Sequence, residues 1–376
     1  GPGTVVTPGS PGSTVQNLGI GLNTLQWTVD NGPCPTGGSD LVNITVYDAA
    51  TAGAVAGPDQ ELCTPAIGTT LAGNTPAAPA TGTWTVIQGA AQLVDPTNPT
   101  TAVTGLVVGT SVLVWTVGNG PCGMTTDTVR IVMFDGTMPD ADAGADQEFC
   151  TPFTQTDLDA TAPISPATGT WSVVQGTGVF SDPNDPHAVV TGAGTGENIY
   201  RWTVYNGPCA NGNTNDLVSV LVYDGNNPVA NAGPDQAICL PVTSTVLAGS
   251  SVTFPATGTW TLVSGTGLLA NVNDPNTGVT GLTVGVNVFV WTVDNGPCAN
   301  GVTTDTVRVL IYDQAMPTAD AGPDQSFCSV FTSATLAGST VTFPGQGTWT
   351  VVSGAGVFSF SVPFSLSPVP CVALPP

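Results

Sequence analysis

The chain repeats itself every 87 to 89 residues. Gly82-Thr83-Trp84 returns at Gly169-Thr170-Trp171, Gly258-Thr259-Trp260 and Gly347-Thr348-Trp349. Trp27-Thr28-Val29 returns at Trp115, Trp202 and Trp291, with Asn-Gly-Pro-Cys just beyond it in every case. A period of this size means an array of small domains, each with its own core. Arrays bind, space or scaffold, so chemistry has to be shown separately.

The period divides the chain into residues 1–49, 52–136, 139–225, 228–314, 317–358 and a tail at 359–376 that leaves the pattern. Each complete unit is long enough for one modest core. The 47 Gly and 33 Pro imply frequent turns, and Thr, Val and aromatic residues fill the stretches between them, which is strand composition. No useful run shows helical periodicity.

In 52–136 the pattern predicts seven strands: Asp59 to Cys63, Thr69 to Ala72, Gly82 to Ile87, Ala91 to Val94, Thr101 to Thr104, Ser111 to Val117 and Asp127 to Phe134. Seven short strands within one repeat point to an all-β chain, a tandem array of immunoglobulin-like seven-stranded β-sandwiches. Two-residue alternation puts Trp84 with Val86 on one face. The paired Trp84 and Trp115 are expected in the core; a sugar-stacking platform would need them exposed. Asn119-Gly120-Pro121-Cys122 reads as a turn and needs no further explanation at this level.

Nine cysteines stand at 34, 63, 122, 150, 209, 239, 298, 328 and 371. Within each complete unit the two are 59 residues apart, whereas between units the gap varies from 28 to 30. Constancy favours bridges within units: Cys63–Cys122, Cys150–Cys209 and Cys239–Cys298. A first strand running parallel to the last is expected to bring them together. The alternative ties neighbouring units, Cys34 to Cys63 and so on. Without Cys-x-x-Cys, thiolate zinc is disfavoured. Regular bridges imply an oxidising compartment, so the chain is expected to be secreted or on a cell surface.

The 26 acids are 23 Asp and 3 Glu, against no Lys and three Arg (Arg130, Arg201, Arg308), for a net charge of −23. This acidic balance argues against nucleic-acid partners and anionic membrane surfaces. Without Lys no Lys–Asn isopeptide staple can form, and trypsin-like proteases find three sites. His187 stands alone in an Asp-Pro-rich loop, and most Asp occupy turn contexts. No phosphate loop or nucleophile elbow occurs, so no enzyme and no organic cofactor is expected. Acids gather at the junctions: Asp135, Asp140, Asp142 and Asp146 at one, Asp313, Asp320 and Asp324 at another. Carboxylates so grouped are candidates for calcium.

Ala-Gly-Pro-Asp-Gln at 56–60, 232–236 and 321–325 (Ala-Gly-Ala-Asp-Gln at 143–147), followed by Leu-Ala-Gly at 71–73, 247–249 and 336–338, resembles the opening of PKD-type immunoglobulin-like domains. With Gly-x-Trp, Trp-Thr-Val-x-Asn-Gly-x-Cys and Asp-x-Val, the whole is similar to the PKD-like repeats of very large Bacteroidota surface proteins, among them gliding-motility adhesins. The chain lacks the Trp-x-Phe-Gly-Asp-Gly stretch of the PKD pattern. The resemblance implies export, by the type IX route, and a long adhesive or structural fibre. It also implies O-glycosylation at Asp-Thr-apolar sites, which here are Thr128 and Thr306. Asn43-Ile44-Thr45 is an N-glycosylation sequon.

The leading expectation is therefore an extracellular structural or adhesive filament protein. The alternative is a carbohydrate-binding or spacer region of a larger secreted hydrolase. Expected partners are copies of itself or the continuation of a longer chain, with a surface or glycan ligand; membrane insertion is not expected. Residues 1–49 carry late strands and Cys34, whereas 317–358 carry early strands and Cys328, so neither buries a core alone. One subunit's late half can be completed by another's early half, with a Cys34–Cys328 bridge. Equally, these residues can be part of a longer continuous chain. Cys371 has no counterpart among the repeats, and the first residue falls inside a repeat, so the lack of a leader says nothing about export.

Overall fold

The computed structural model describes residues 3–315, 318–328 and 333–358. Strands in 52–136 run Gln60–Cys63, Gly68–Thr70, Thr81–Gln88, Gln92–Leu93, Ala102–Thr104, Gly109–Gly118 and Met124–Phe134. The first, seventh, sixth and third form one sheet in that order; the second, fifth and fourth form the other. The same two sheets recur in 139–225 and 228–314. These are immunoglobulin-like sandwiches in tandem. The seventh strand starts at Met124 rather than at the expected Asp127, because the sixth runs on to Gly118 and pairs with it there.

Alternation builds the core. Leu113, Trp115 and Val117 point inward and are buried, while Val112, Val114 and Thr116 on the other face remain partly exposed. Trp84 faces Trp115 directly across the third and sixth strands, with ring centroids 5.0 Å apart. Trp171–Trp202 and Trp260–Trp291 repeat the pair at 5.0 and 4.9 Å. The expected place of these indoles in the core is borne out. Each indole N–H finds a carbonyl or amide oxygen, as Trp84 does at Pro99 (3.1 Å) and Trp115 at the Asn74 side chain (3.0 Å).

The glycine of Gly-Thr-Trp has a steric reason. A Cβ at Gly82, Gly169 or Gly258 would lie 2.1–2.2 Å from Cζ2 of Trp115, Trp202 or Trp291. The indole therefore lies flat against a bare Cα.

The first strand runs parallel to the last, as expected, with Gln60 opposite Ile131 and Cys63 opposite Phe134. Two side chains fix this arrangement: the Asp127 carboxylate accepts the Ala56 N–H (2.8 Å) and Asp59 accepts the Arg130 N–H (2.8 Å).

Residues 1–49 contain two separate strand pairs, Thr4–Val5 with Val15–Gln16 and Gly21–Val29 with Gly38–Val46. Their inner face is bare: Trp27 is 43 % exposed, whereas its counterpart Trp115 is 0 %. The described residues of 317–358 include no strand, and Trp349 is 39 % exposed against 2 % for Trp84. The tail 359–376, with Cys371, lies outside the described residues.

Two outcomes follow. Gly169→Ala forces a methyl into the Trp202 ring and should cost about 1–3 kcal/mol in urea unfolding. The same change at Gly347, whose Cβ would meet only Val341 at 3.8 Å, should leave the curve unchanged. Tyr200 is buried, its hydroxyl donates to the Thr177 carbonyl at 2.7 Å, and burial pushes its pKa up to about 12. Its neutral form thus adds stability that is full below the ordinary tyrosine pKa of about 10 and lost as pH rises through about 12. Tyr200→Phe should flatten that alkaline decline in a melting-temperature series.

Candidate functional site: the junction between repeats

An aromatic-Asp pair marks the end of each of these last strands: Phe134-Asp135 and Tyr223-Asp224, whose rings are the final strand residues, and Tyr47-Asp48, directly after Val46. The Asn-Gly-Pro-Cys turn of the next unit seats on that pair. Its glycine takes a positive φ of 51° to 55° at Gly120, Gly207 and Gly296. A Cβ there would stand 2.6 Å from the Tyr47 ring, 2.3 Å from Phe134 or 2.6 Å from Tyr223. Only glycine meets both demands. The asparagine side chain then donates to the linker carbonyl: Asn119 to Asp48 (2.8 Å), Asn206 to Asp135 (2.8 Å) and Asn295 to Asp224 (3.0 Å). Asn206 and Asn295 are fully buried.

Further contacts close the seam. Asn300 donates to the Asn227 carbonyl at 2.9 Å, and Asn211 does the same to Met138. Phe134 meets Tyr205 edge-on at 5.8 Å, and the Tyr205 hydroxyl donates to Glu61 of the preceding unit at 2.7 Å. That bond, first, and then desolvation hold the Tyr205 phenol above its ordinary pKa. One apolar cluster runs from Phe134 and Met138 into the core of 139–225.

The cysteines complete the junction, and here the expected pairing is overturned. Among the described residues the bridges are Cys63–Cys209 and Cys150–Cys298, with Cα atoms 5.1 and 5.0 Å apart. Cys63–Cys122, Cys150–Cys209 and Cys239–Cys298 do not form, nor does Cys34–Cys63. The reason lies in the register. Cys63 stands beside Phe134, where the last strand ends, whereas Cys122 precedes Met124, where it begins. Ten steps of about 3.3 Å separate them by roughly 33 Å, far beyond the 7 Å limit for a disulfide. Parallel pairing was read correctly, but it sends the two cysteines to opposite ends. The constant spacing of 59 residues is also kept by bridges between successive units.

Asn-Gly-Pro-Cys is therefore more than a turn: it is the clamp that holds the preceding unit. The signal was in the sequence, since an aromatic-Asp pair recurs at every strand end that a clamp meets. Cys34, Cys122 and Cys328 are exposed and join no bridge among the described residues.

The acids are placed singly. Asp135 accepts the Thr137 hydroxyl (2.7 Å) and N–H (2.8 Å), Asp142 the Gly144 N–H (2.9 Å) and Asp146 the Ser219 N–H (2.8 Å). Asp313 and Asp320 cap their own turns at Ala315 (2.8 Å) and Gly322 (2.9 Å). Among the described residues no three His, Cys, Asp or Glu side chains gather as a metal site. His187 pairs with Asp159 at 3.2 Å on the surface. Thr128 and Thr306 are exposed on last strands, as is Asn43. No described helix is long and apolar enough to cross a membrane.

No protein-family model matches the sequence, and no curated protein matches it. Similar solved structures include a three-immunoglobulin-domain fragment of titin, with a TM-score of 0.32 at 13 % identity over 70 % of this chain and 99 % of that one. Extracellular domains 3–5 of Drosophila OTK give 0.28 at 12 % over 69 % and 96 %. The PKD domain of the KIAA 1837 protein gives 0.21 at 33 % over 26 % and 92 %. The immunoglobulin-like assignment rests on the strand order itself.

Asn295→Ala removes both the donor to Asp224 and the acceptor of the Asn227 amide (3.0 Å), so it should cost about 1–3 kcal/mol in urea unfolding. The Ala56 N–H, foremost, and then the Thr128 N–H hold Asp127 below the usual carboxylate range; the Thr137 hydroxyl and N–H do so for Asp135. A depressed folded pKa gives stability that is full above about 4 and lost as pH falls through the lowered value. Melting temperature should drop in that acid range, and less steeply in Asp127→Asn.

Proposed function

We propose that the chain is an extracellular structural or adhesive rod, part of a long disulfide-stabilised surface fibre. One observation carries this reading: both bridges among the described residues join a unit to the next one rather than closing a unit on itself. A bridge within a domain stabilises that domain alone. A bridge across a junction fixes the angle between domains and carries tension past the linker. The loops also interleave, since Cys150 lies inside the Cys63–Cys209 span and Cys209 inside the Cys150–Cys298 span. Unfolding of 139–225 under load would thus leave its neighbours covalently held.

Bridges of this kind need an oxidising compartment, which supports export. The resemblance to Bacteroidota gliding-motility repeats supports a cell-surface adhesin filament, with a surface or glycan ligand. The paired indoles of the complete units lie inside their cores, so a sugar-stacking platform gains no support from them.

Small-angle scattering on the full chain tests the rod. The oxidised protein should give one extended form with a narrow distance distribution, and reduction should broaden it by freeing the junctions while each unit stays folded. A compact oxidised particle, or identical curves in both states, would overturn the proposal.

A further inference from the structure

We infer that the outer faces of the four-stranded sheets form one strip on which a second copy of this chain docks side by side, face to face and offset by half a repeat. The inference goes beyond the rod reading and uses only the complete units 52–136, 139–225 and 228–314.

Charge is sorted across these units. The three Arg of this Lys-free chain, Arg130, Arg201 and Arg308, all point outward from the four-stranded sheet of their own unit, away from the buried indoles. All three Glu share that face: Glu61 stands beside Val132, and Glu148 and Glu197 flank Leu221. Among the described strand residues, Asp294 is the one Asp that joins them. The other Asp of these sheets, Asp127, Asp216 and Asp305, turn to the opposite side and accept the N–H of Ala56, Ala143 and Ala232 at 2.8, 2.9 and 2.8 Å. Among the described residues no guanidinium pairs with a carboxylate, although the chain holds 26 acids. Elsewhere a net charge of −23 keeps copies apart. This face is where that repulsion is weakest.

The faces of successive units meet. Glu61 accepts the hydroxyl of Tyr205, which points outward from the next sheet, at 2.7 Å. At the following junction burial, first, and then the charges of Glu148 and Asp294 hold the Tyr223 phenol above its ordinary pKa, so both acids stand close to that ring. Each Arg, by contrast, sits in the middle of its strand: Met124–Phe134, Gly196–Tyr205 or Val302–Tyr312. Along the strip the signs therefore alternate: Arg130, Glu61, Arg201, the Glu148–Asp294 junction, Arg308. A copy displaced by half a repeat sets its cations against these acids, and its acids against these cations.

The surface between the charges suits sheet-on-sheet contact. Thr83, Thr116 and Thr126 stand side by side across three strands, as Thr259, Thr292 and Thr304 do. Val114 lies between Thr85 and Thr128, and Val290 repeats its place between Thr261 and Thr306. Strand propensity explains exposed Thr and Val. It does not explain why Asp is nearly absent here and every Arg is present. Four strands about 4.8 Å apart and about eight residues long offer roughly 500 Å² per unit. Two units thus exceed the roughly 800 Å² per partner of a standard interface.

The test uses the full oxidised chain with its remaining thiols capped, so that no disulfide can join copies. Sedimentation across about 1 μM to 1 mM should show reversible association that added salt weakens. Phenylglyoxal labelling should find Arg130 and Arg308 protected at the high end of that range and reactive at the low end. Arg130→Gln with Arg308→Gln should weaken association roughly tenfold or more, about 1.4 kcal/mol, without shifting the melting of the complete units. Thr104→Glu with Thr280→Glu makes the same change in net charge on the outer side of the three-stranded sheets and should leave association as it was. Equal weakening by both pairs, or association that the Arg pair leaves undiminished, would overturn the inference. A chain that stays monomeric throughout, with its Arg open to phenylglyoxal, would also overturn it and leave the face to a partner of another kind. The rod reading survives each of these results, because it depends on Cys63–Cys209 and Cys150–Cys298 within one chain.

Discussion

The register of one four-residue strand decides the character of the whole array. Gln60 to Cys63 lies parallel to the end of the last strand, so its cysteine emerges at the exit of its own domain. The turn that carries the other cysteine stands at the entrance. A sandwich has no way to close such a pair on itself, but the next sandwich presents its entrance turn at that exit. The bridge therefore crosses the junction, and the three complete units are covalently tied in series. In the chain-entropy model, closing spans of 146 and 148 residues is worth about 5 kcal/mol each. That stabilisation is shared between two domains rather than held by one.

The bridge is only as good as the surface that aligns it. Three elements do this work together: a flat aromatic ring at the strand end, a glycine whose bare Cα lies on the ring, and an asparagine that satisfies the linker carbonyl. They are coupled, since a side chain at the glycine would lift the turn off the ring and move the cysteine with it. The junctions are not identical. Asn295 accepts a hydrogen bond from Asn227, whereas the position equivalent to Asn227 in the preceding junction is Met138, which joins the apolar cluster of 139–225. The buried oxygen of Asn206 has no partner among the described residues. That junction exchanges a polar contact for apolar packing, and its apolar residues are continuous with the core of the following unit.

Much of the fold was legible in the sequence because small domains obey local rules. Alternation around Trp115, Asp-Pro turns and the Gly-Thr-Trp signature predict seven strands and their faces, and the parallel first strand also followed. The pairing of cysteines was not legible from spacing, because spacing is one-dimensional and a translational repeat keeps it for bridges within or between units. What separates the two cases is the length of the last strand, Met124 to Phe134, together with the residue opposite Cys63. The functional weight of Asn-Gly-Pro-Cys was hidden for a similar reason. A turn explains its glycine and proline, so the buried asparagine amide attracts no notice until the preceding domain is in place.

The acidic surface fits the same picture. Its carboxylates cap turns and accept backbone N–H groups one at a time, as Asp59, Asp127 and Asp146 do, so the junction acids read as parts of loops. The central claim is that the covalent links run between units. Peptic mapping of the oxidised chain by mass spectrometry tests it most directly. The account predicts peptides joining Cys63 to Cys209 and Cys150 to Cys298. Peptides joining Cys63 to Cys122 and Cys150 to Cys209 would contradict it.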